Sequence, residues 1–216
     1  MIDFVLNFDE HLTGFVRDYG TLTYGILFAI IFAETGLVVT PFLPGDSLLF
    51  AAGALAATGT LSLEVVVVTL IIAAVIGDAV NYAVGRRLAH TFLDEVPDTG
   101  WIYRVVKREH VLRAHEFFEK HGGKAVVLAR FVPIVRTFVP FVAGGAKMTY
   151  RTFAMYNIFG AVLWVGICAG AGYLFGNIPI VKKNFELVVL GIIGISLIPL
   201  VIEVIKSWRR SAAERA

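Results

Sequence analysis

Residues Leu61–Val84 read LSLEVVVVTLIIAAVIGDAVNYAV, an apolar run with only a few polar side chains. A helix needs about 20 apolar residues to cross the roughly 30 Å hydrocarbon core of a bilayer, and this run is long enough. Thr152–Phe175 and Phe185–Ile205 meet the same requirement. A fourth candidate, Leu22–Thr40, is of similar length but carries Glu34. The sequence therefore predicts an all-α integral membrane protein with about four spanning helices.

The composition of the 216-residue chain supports this prediction. Hydrophobic residues make up 57% and charged residues 17% of the chain, against about 45–50% and 25% in soluble domains. A soluble domain of this size has no core large enough to hide so much apolar surface, so soluble enzymes are excluded, as are disordered chains. A formal net charge of +2 argues against a nucleic-acid partner. The single cysteine, Cys168, excludes an intrachain disulfide.

Two further apolar stretches, residues 41–59 and 124–146, contain residues that break helices. Proline removes a backbone donor and clashes with the preceding turn. Irregular backbone at membrane depth is tolerated only where protein or a water-filled cavity surrounds it. We therefore predict that both stretches form re-entrant hairpins. The residues expected to shape them are Pro41, Pro44 and Gly45 in the first and Pro133, Pro140 and Gly144 in the second.

The polar linker at residues 86–123 sets the predicted topology. It is rich in Lys and Arg and has an amphipathic helical pattern over Ile102–Lys120. Basic loops stay in the cytoplasm, so counting the spans from this linker places both termini there. The same count makes the two hairpins enter the membrane from opposite faces.

The whole chain, residues 1–216, is predicted to form one membrane domain. Its N-terminal segment has apolar residues at helical spacing, which suits either an interfacial helix or an amphipathic helix packed on the rest of the protein. The predicted parts are the N-terminal helix at 1–19, a first half at 22–85, the linker, a second half at 124–176 and a C-terminal span at 185–206.

The two halves show a weak internal repeat. Each contains a broken stretch, a small-residue Ala-Gly pair and a spanning helix that ends in Tyr-x-x-Gly. Inverted repeats of this kind place a binding site between the repeats, near the membrane midplane. The positions that align at an offset of 91 residues are Phe50 with Phe141, Gly53 with Gly144, Tyr82 with Tyr173 and Gly85 with Gly176.

Four ionisable residues lie in or beside the broken stretches: Glu34, Asp46, Arg130 and Arg136. A charge at the bilayer centre costs roughly 2.5–3.5 kcal/mol, so these groups need partners or a wet cavity. Pro133 separates Arg130 from Arg136, which lets both guanidiniums turn into one pocket and bind the oxygens of an anion, either a phosphate or a carboxylate. Glu34 and Asp46 can take up and release protons. The alternative is that the four residues form structural salt bridges that join the hairpins.

Other polar residues of the spans have simpler expected roles. Asp78 is near the end of its span, where pairing with Arg86 or Arg87 is favoured over a role in proton relay. Asn157 is expected to form a hydrogen bond between helices. Small-residue patterns in the span Thr152–Phe175 allow close helix contacts within one chain or in a homo-oligomer.

Signatures of enzymes are missing from the sequence. It contains no Gly-x-Ser-x-Gly and no P-loop, and His110 and His115 are five rather than four positions apart. We therefore expect no enzymatic activity, no bound metal and no cofactor.

Several segments resemble the DedA family of bacterial inner-membrane proteins, within the VTT (SNARE-associated) superfamily. The segments are Glu34–Ala56, Gly77–Leu88 and Phe117–Val165, and the resemblance covers most of Glu34–Gly176. The family's pattern of Arg-Phe-x-Pro, a second Arg, Pro and Ala-Gly occurs here without departure.

The resemblance implies a fold with two oppositely directed re-entrant hairpins and a role in moving lipids across the cytoplasmic membrane. Some relatives are assigned to undecaprenyl phosphate recycling, and others to phospholipids or to maintenance of the membrane potential. The family's essential positions map onto Glu34, Asp46, Arg130 and Arg136. The function we expect is a flippase for a lipid phosphate, driven by the proton motive force. The alternatives are a proton-coupled antiporter of small ions or drugs and a non-transporting membrane scaffold.

Overall fold

The computed structural model describes residues 20–37, 45–93, 108–132, 135–179 and 181. Every regular element in these ranges is helical, which confirms the all-α prediction for them. The short helix Ala125–Leu128 lies between two 3₁₀ turns, Gly122–Lys124 and Ala129–Phe131. The helices are α1 (Gly20–Gly36), α2 (Gly45–Ala57), α3 (Leu63–Leu93), α4 (Arg108–His121), α5 (Ala125–Leu128), α6 (Val135–Gly145) and α7 (Tyr150–Gly176).

Two helices in the described part of the chain are long and apolar enough to cross a membrane. They are Leu63–Arg87, with 25 residues, and Tyr150–Gly176, with 27 residues. At 1.5 Å per residue, each is longer than the roughly 30 Å hydrocarbon core. The predicted spans Leu61–Val84 and Thr152–Phe175 are thus confirmed as apolar helices of spanning length.

Both long helices expose apolar side chains along one face. Contiguous apolar surface of this kind is unfavourable in water and marks contact with lipid or with another protein. The exposed residues of α3 follow one another at helical spacing and are Val65, Val68, Ile72, Ile76 and Val80. Those of α7 include Met155, Ile158, Phe159, Val162 and Ile167.

The structure describes the other predicted elements only in part. The 17 residues of α1 are at the lower limit for a span, and the helix ends at Gly36 rather than Thr40. The polar linker predicted at 86–123 begins inside α3 and contains α4. The N-terminal helix predicted at 1–19 and the span predicted at 185–206 lie outside the described residues.

The stretch 124–146 is a broken segment, as its prolines suggest. The 3₁₀ turn after α5 ends at Phe131, and the next residue, Val132, is extended, with a φ of −111° and a ψ of 110°. Val132 precedes Pro133, and a residue before proline is forced out of helical geometry by a clash with the proline ring. The following helix, α6, continues through Pro140. Re-entry of this segment into the membrane stays a prediction.

The stretch 41–59 is described from Gly45 onward, where α2 begins. Asp46 lies in the first turn of α2, where a carboxylate interacts favourably with the helix dipole. Pro41 and Pro44 lie outside the described residues. The hairpin predicted here also stays a prediction.

The chain forms two compact units. The described part of the first unit consists of residues 20–23, 45–63, 168–179 and 181. The described part of the second consists of residues 24–37, 64–93, 108–132 and 135–167.

The core of the second unit forms where α4, α5 and α6 meet side chains of α3 and α7. Phe138 of α6 and Phe153 of α7 are almost fully buried. The ring of Tyr82, on α3, stacks on Phe153 with 4.4 Å between the centroids. Its hydroxyl donates a hydrogen bond to the Met148 carbonyl. This core fixes the position of α6 relative to α3, the two helices that supply Arg136 and Asp78.

In the first unit, α2 and the end of α7 approach at backbone contact distance. A Cβ added to Gly172 would collide with the carbonyl of Phe50, and one added to Gly53 would collide with the carbonyl of Ala169. Only glycine fits at these two points, because any larger side chain would push the helices apart.

The second unit contains the same contact between α6 and α3. A Cβ on Gly85 would collide with the carbonyl of Phe141, and one on Gly144 would collide with the carbonyl of Tyr82. Each unit therefore packs a Phe-x-x-Gly segment of a short helix against a long helix through a small residue. The likeness agrees with the alignment of Phe50 with Phe141 and Gly53 with Gly144. The inverted repeat itself stays a prediction.

Candidate functional site

The second unit encloses a cavity lined by charged residues from four elements. It lies between α1, α3, the region of Arg130 and α6, with α7 along one side. The residues that line it are Glu34, Thr35, Asp78, Arg130, Arg136, Thr137 and Trp164. Three of the four predicted site residues, Glu34, Arg130 and Arg136, thus lie in one place.

The first ion pair in the cavity joins α6 to α1. Nη2 of Arg136 donates a hydrogen bond to Oε1 of Glu34. The Glu34 side chain is 1% exposed, whereas that of Arg136 is 15% exposed. Glu34 is therefore a buried carboxylate whose charge is balanced by a guanidinium with limited access to the outside.

The second ion pair joins the 3₁₀ turn to α3. Nη2 of Arg130 donates hydrogen bonds to Oδ2 of Asp78 and, over 2.6 Å, to Oδ1 of Asn157. The Asn157 amide in turn donates to the carbonyl of Val75 over 3.0 Å. Within the described ranges, Nε of Arg130 is buried and has no hydrogen-bond partner. One N–H of this guanidinium therefore remains available to a further acceptor.

Local backbone features direct Arg130 into the cavity. The 3₁₀ turn and the extended Val132 end the helical path directly after Arg130. Gly160 of α7 provides the necessary room, because a Cβ there would lie 3.1 Å from Cδ and from Nε of Arg130. A larger residue at position 160 would press on the arginine side chain.

Both guanidiniums lie against the ring of Trp164 on α7. Cζ of Arg130 is 5.7 Å and Cζ of Arg136 is 5.5 Å from the ring centroid. Such cation–π contacts contribute about 0.5–2 kcal/mol each, more when they are desolvated. On a straight helix the two arginines would point about 240° apart, so the break between them is what allows both to reach one ring.

Asn81 connects three of the elements that surround the cavity. Its amide donates to the Thr35 carbonyl of α1 over 3.1 Å and to the Thr137 carbonyl of α6 over 2.7 Å. The side chain is fully buried on α3. Asn81 therefore holds α1 and α6, which carry Glu34 and Arg136, at fixed positions on α3.

The charges of the described residues that line the cavity balance, and the cavity is small in this conformation. Two carboxylates face two guanidiniums, and the cavity has a volume of about 10 Å³. That is close to the minimum for one water molecule. A phosphate group does not fit unless the surrounding elements move and at least one carboxylate leaves its arginine.

The structure changes the expected partners of two residues. Asp78, for which pairing with Arg86 or Arg87 was favoured, instead pairs with Arg130. That expectation was wrong because Arg86 lies eight positions along the helix, whereas the broken segment brings Arg130 to the side of α3. Asp46 lies in the first unit and is exposed, and its role in proton coupling stays a prediction.

Asn157 and Trp164 of α7 also contact the arginines of the site. The Asn157 amide donates a hydrogen bond to the Val75 carbonyl of α3, which confirms the expected hydrogen bond between helices. Trp164 was missed, and its only signal in the sequence is an aromatic residue in the middle of a predicted span.

Among the hairpin-shaping residues, Gly45 begins α2 and Pro140 and Gly144 lie in α6, whereas Pro133 lies outside the described residues.

Known proteins match this chain over most of its length. The family described as the VTT domain matches residues 43–174. The chain is 52% identical to Protein DedA of Escherichia coli strain K12, covering 98% of this chain and 95% of that one. It is 41% identical to an uncharacterized membrane protein, ML0287, of Mycobacterium leprae, over 83% of this chain and 78% of that one. It is 36% identical to Inner membrane protein YqjA of E. coli strain K12, over 75% and 71%. No solved structure matches.

Proposed function

Because this chain belongs to the DedA family of VTT-domain membrane proteins, we propose that it moves a lipid phosphate across the bacterial cytoplasmic membrane. The substrate is undecaprenyl phosphate or a phospholipid, and the proton motive force drives the transport. The observation that carries the proposal is the pair of buried guanidiniums, each held by a carboxylate, on one tryptophan ring. Arginine keeps its charge at any working pH and offers a planar fork that fits phosphate.

Protons enter the mechanism through the charge balance of the cavity. A proton taken up by Glu34 or Asp78 neutralises that carboxylate and leaves the cavity with one net positive charge. In a low-dielectric site this excess charge attracts an anion strongly. The phosphate then replaces the carboxylate on the freed guanidinium, and the proton and the anion are carried together. We assign proton coupling to Glu34 and Asp78. Asp46, which was predicted from the sequence and lies in the first unit, is assigned the same role.

The two alternative functions account for fewer of these features. A cation antiporter would have to bind its cation beside two guanidiniums, each of which already pairs with one of the two carboxylates of the cavity. A scaffold would use the ion pairs only to hold helices together. Apolar residues of similar volume often do so equally well or better, because burying a charge requires its desolvation. Two such pairs on one ring, beside a cavity, therefore favour binding of an anion.

We place the protein in the bacterial cytoplasmic membrane, with both termini in the cytoplasm. Support comes from the two apolar helices and their exposed apolar faces. Two of its relatives are named as membrane proteins, one of them of the inner membrane. The basic linker at residues 86–123 supports the orientation, because basic segments of this kind remain inside.

The orientation can be tested by cysteine labelling in intact cells. Cys168→Ala removes the single cysteine. Thr99→Cys then adds one on the predicted cytoplasmic side of the membrane, or Asn177→Cys adds one on the predicted outer side. We expect an impermeant thiol reagent to label Asn177→Cys but not Thr99→Cys until the cells are opened. The reverse pattern would invert the topology and the side from which each hairpin enters.

Proton coupling can be tested with carboxylate-to-amide substitutions, which keep the shape but remove the titration. We expect Glu34→Gln and Asp46→Asn to abolish the component of transport that depends on the pH gradient. The assay follows labelled undecaprenyl phosphate or phospholipid in liposomes with and without a pH gradient, at equal amounts of folded protein. Glu64→Gln is the matched control, because Glu64 is an exposed carboxylate at the start of α3. Wild-type, gradient-dependent rates in both variants would make the carboxylates structural.

A further inference from the structure

A second site is formed at the far end of the α3 span, away from the buried ion pairs. An open groove of about 520 Å³ lies beside the last turns of the apolar segment Leu63–Arg87. The residues that line it are Ala79, Tyr82, Ala83, Arg86, Arg87 and Tyr150. All belong to the second unit, and none lines the buried cavity.

The groove carries positive charge that the described residues leave unbalanced. Arg86 and Arg87 are both exposed, and neither forms an ion pair within the described part of the chain. Nη1 of Arg86 donates to the hydroxyl of Tyr82 over 3.2 Å, which orients one guanidinium along the groove. Two arginines side by side, with no carboxylate paired to them among the residues that the structure describes, are suited to an anion with several oxygens.

The position of the groove limits what the anion can be. The arginines are at the point where the apolar helix ends, which is the level of the lipid headgroups if the helix spans the membrane. Tyr150 is 54% exposed at the start of α7, and exposed tyrosines are typical of the membrane interface. The small side chains of Ala79 and Ala83 leave apolar surface below the arginines on which an acyl chain can lie.

We propose that this groove binds the phosphate-bearing headgroup of an anionic membrane lipid, with Arg86 and Arg87 on the phosphate and the acyl chains along α3. Basic pockets beside transmembrane helices are known to hold such headgroups. The site is separate from the proposed transport cavity, and binding to it needs neither a gradient nor transport.

The test is calorimetric titration of the purified full chain in a neutral detergent. The three probes are short-chain phosphatidylglycerol, short-chain phosphatidylcholine and inorganic phosphate. We expect phosphatidylglycerol to bind most tightly and to bind about 30-fold more weakly to Arg86→Gln/Arg87→Gln, from roughly 1 kcal/mol for each arginine near the surface. The matched control is Arg113→Gln/Lys120→Gln, which removes the same charge from exposed positions on α4 and is expected to bind like wild type.

Three outcomes with these probes and these two variants would overturn the assignment. They are unchanged binding in the Arg86/Arg87 variant, an equal loss in the control variant, or binding of inorganic phosphate as tight as that of the lipid. The last result would mean a site for free anions instead. Arg136→Lys, a change in the buried cavity, separates the two sites. Phosphatidylglycerol binding that persists in this variant belongs to the groove, and its loss would place the lipid in the transport cavity.

Discussion

Asp78→Asn is expected to lower the free energy of unfolding by about 3–5 kcal/mol, because it leaves the buried Arg130 without its counter-charge. The Arg130 side chain is 5% exposed, so water cannot replace the lost carboxylate. The Asn157 oxygen and the Trp164 ring remain as partners but carry no full negative charge. The change is measured by titrating wild type and variant with a denaturant in a mild detergent and following their unfolding.

The two members of the pair should behave differently. Arg130→Gln leaves Asp78 buried, but a carboxylic acid can take up a proton and become neutral, whereas arginine cannot lose its proton. We therefore expect Arg130→Gln to destabilise the protein less than Asp78→Asn does. The double variant, Asp78→Asn/Arg130→Gln, contains no buried charge at this position and should recover most of the lost stability.

The double variant also separates a structural role from a functional one. If the pair only holds the helices together, a stable double variant keeps wild-type activity. If Arg130 binds the substrate phosphate, the double variant is folded but does not bind it. Additive effects of the two single changes would show that the side chains do not interact, which would contradict the ion pair. Glu64→Gln, at an exposed position in the first turn of α3, should change stability by no more than about 1 kcal/mol, the loss of a favourable interaction with the helix dipole.

Replacing either cavity arginine by lysine should weaken binding of undecaprenyl phosphate about 10- to 150-fold. Lysine keeps the charge but presents a point donor in place of a planar fork, so a bidentate contact is lost. Hydrogen bonds to charged groups contribute about 1.5–3 kcal/mol, which corresponds to that range of affinity. We expect this result for Arg130→Lys and Arg136→Lys, while the protein still inserts and folds.

The measurement compares undecaprenyl phosphate with undecaprenol, the alcohol of the same tail, on purified protein. The alcohol should bind poorly to wild type and should be little affected by either substitution. Equal affinity for the two lipids, or normal binding of the phosphate by both lysine variants, would remove phosphate recognition from the mechanism. The arginines would then be only the partners of Glu34 and Asp78.

The helices were largely predictable because their signals are local. Leu61–Val84 and Thr152–Phe175 are apolar over more than five turns, so no tertiary contact is needed to assign them. The break after Arg130 was predictable for the same reason, since proline restricts the residue before it whatever surrounds it. Helix ends were harder to place. α1 ends at Gly36 and α3 continues to Leu93, beyond the apolar run that defines the span.

The partners within the site could not be read from local sequence. Asp78 and Arg130 are 52 positions apart, and Glu34 and Arg136 are 102 apart. Pairings over such distances depend on how the elements pack. The sequence could identify Glu34, Arg130 and Arg136 as charges too costly to leave alone in a membrane, but it could not assign the partner of each. Trp164 carries no charge, so nothing in the sequence set it apart from other aromatic residues of the span.

The two hydrogen bonds of Asn81 have a consequence for how the cavity can open. One N–H of the amide goes to α1 and the other to α6, so a helix that swings away from α3 breaks one bond and leaves the other intact. Each buried donor left unpaired costs about 1–3 kcal/mol. A state with both helices displaced carries this penalty twice and is therefore rarer than a state with one displaced. A single amide can thus favour displacement of one helix at a time over displacement of both helices together.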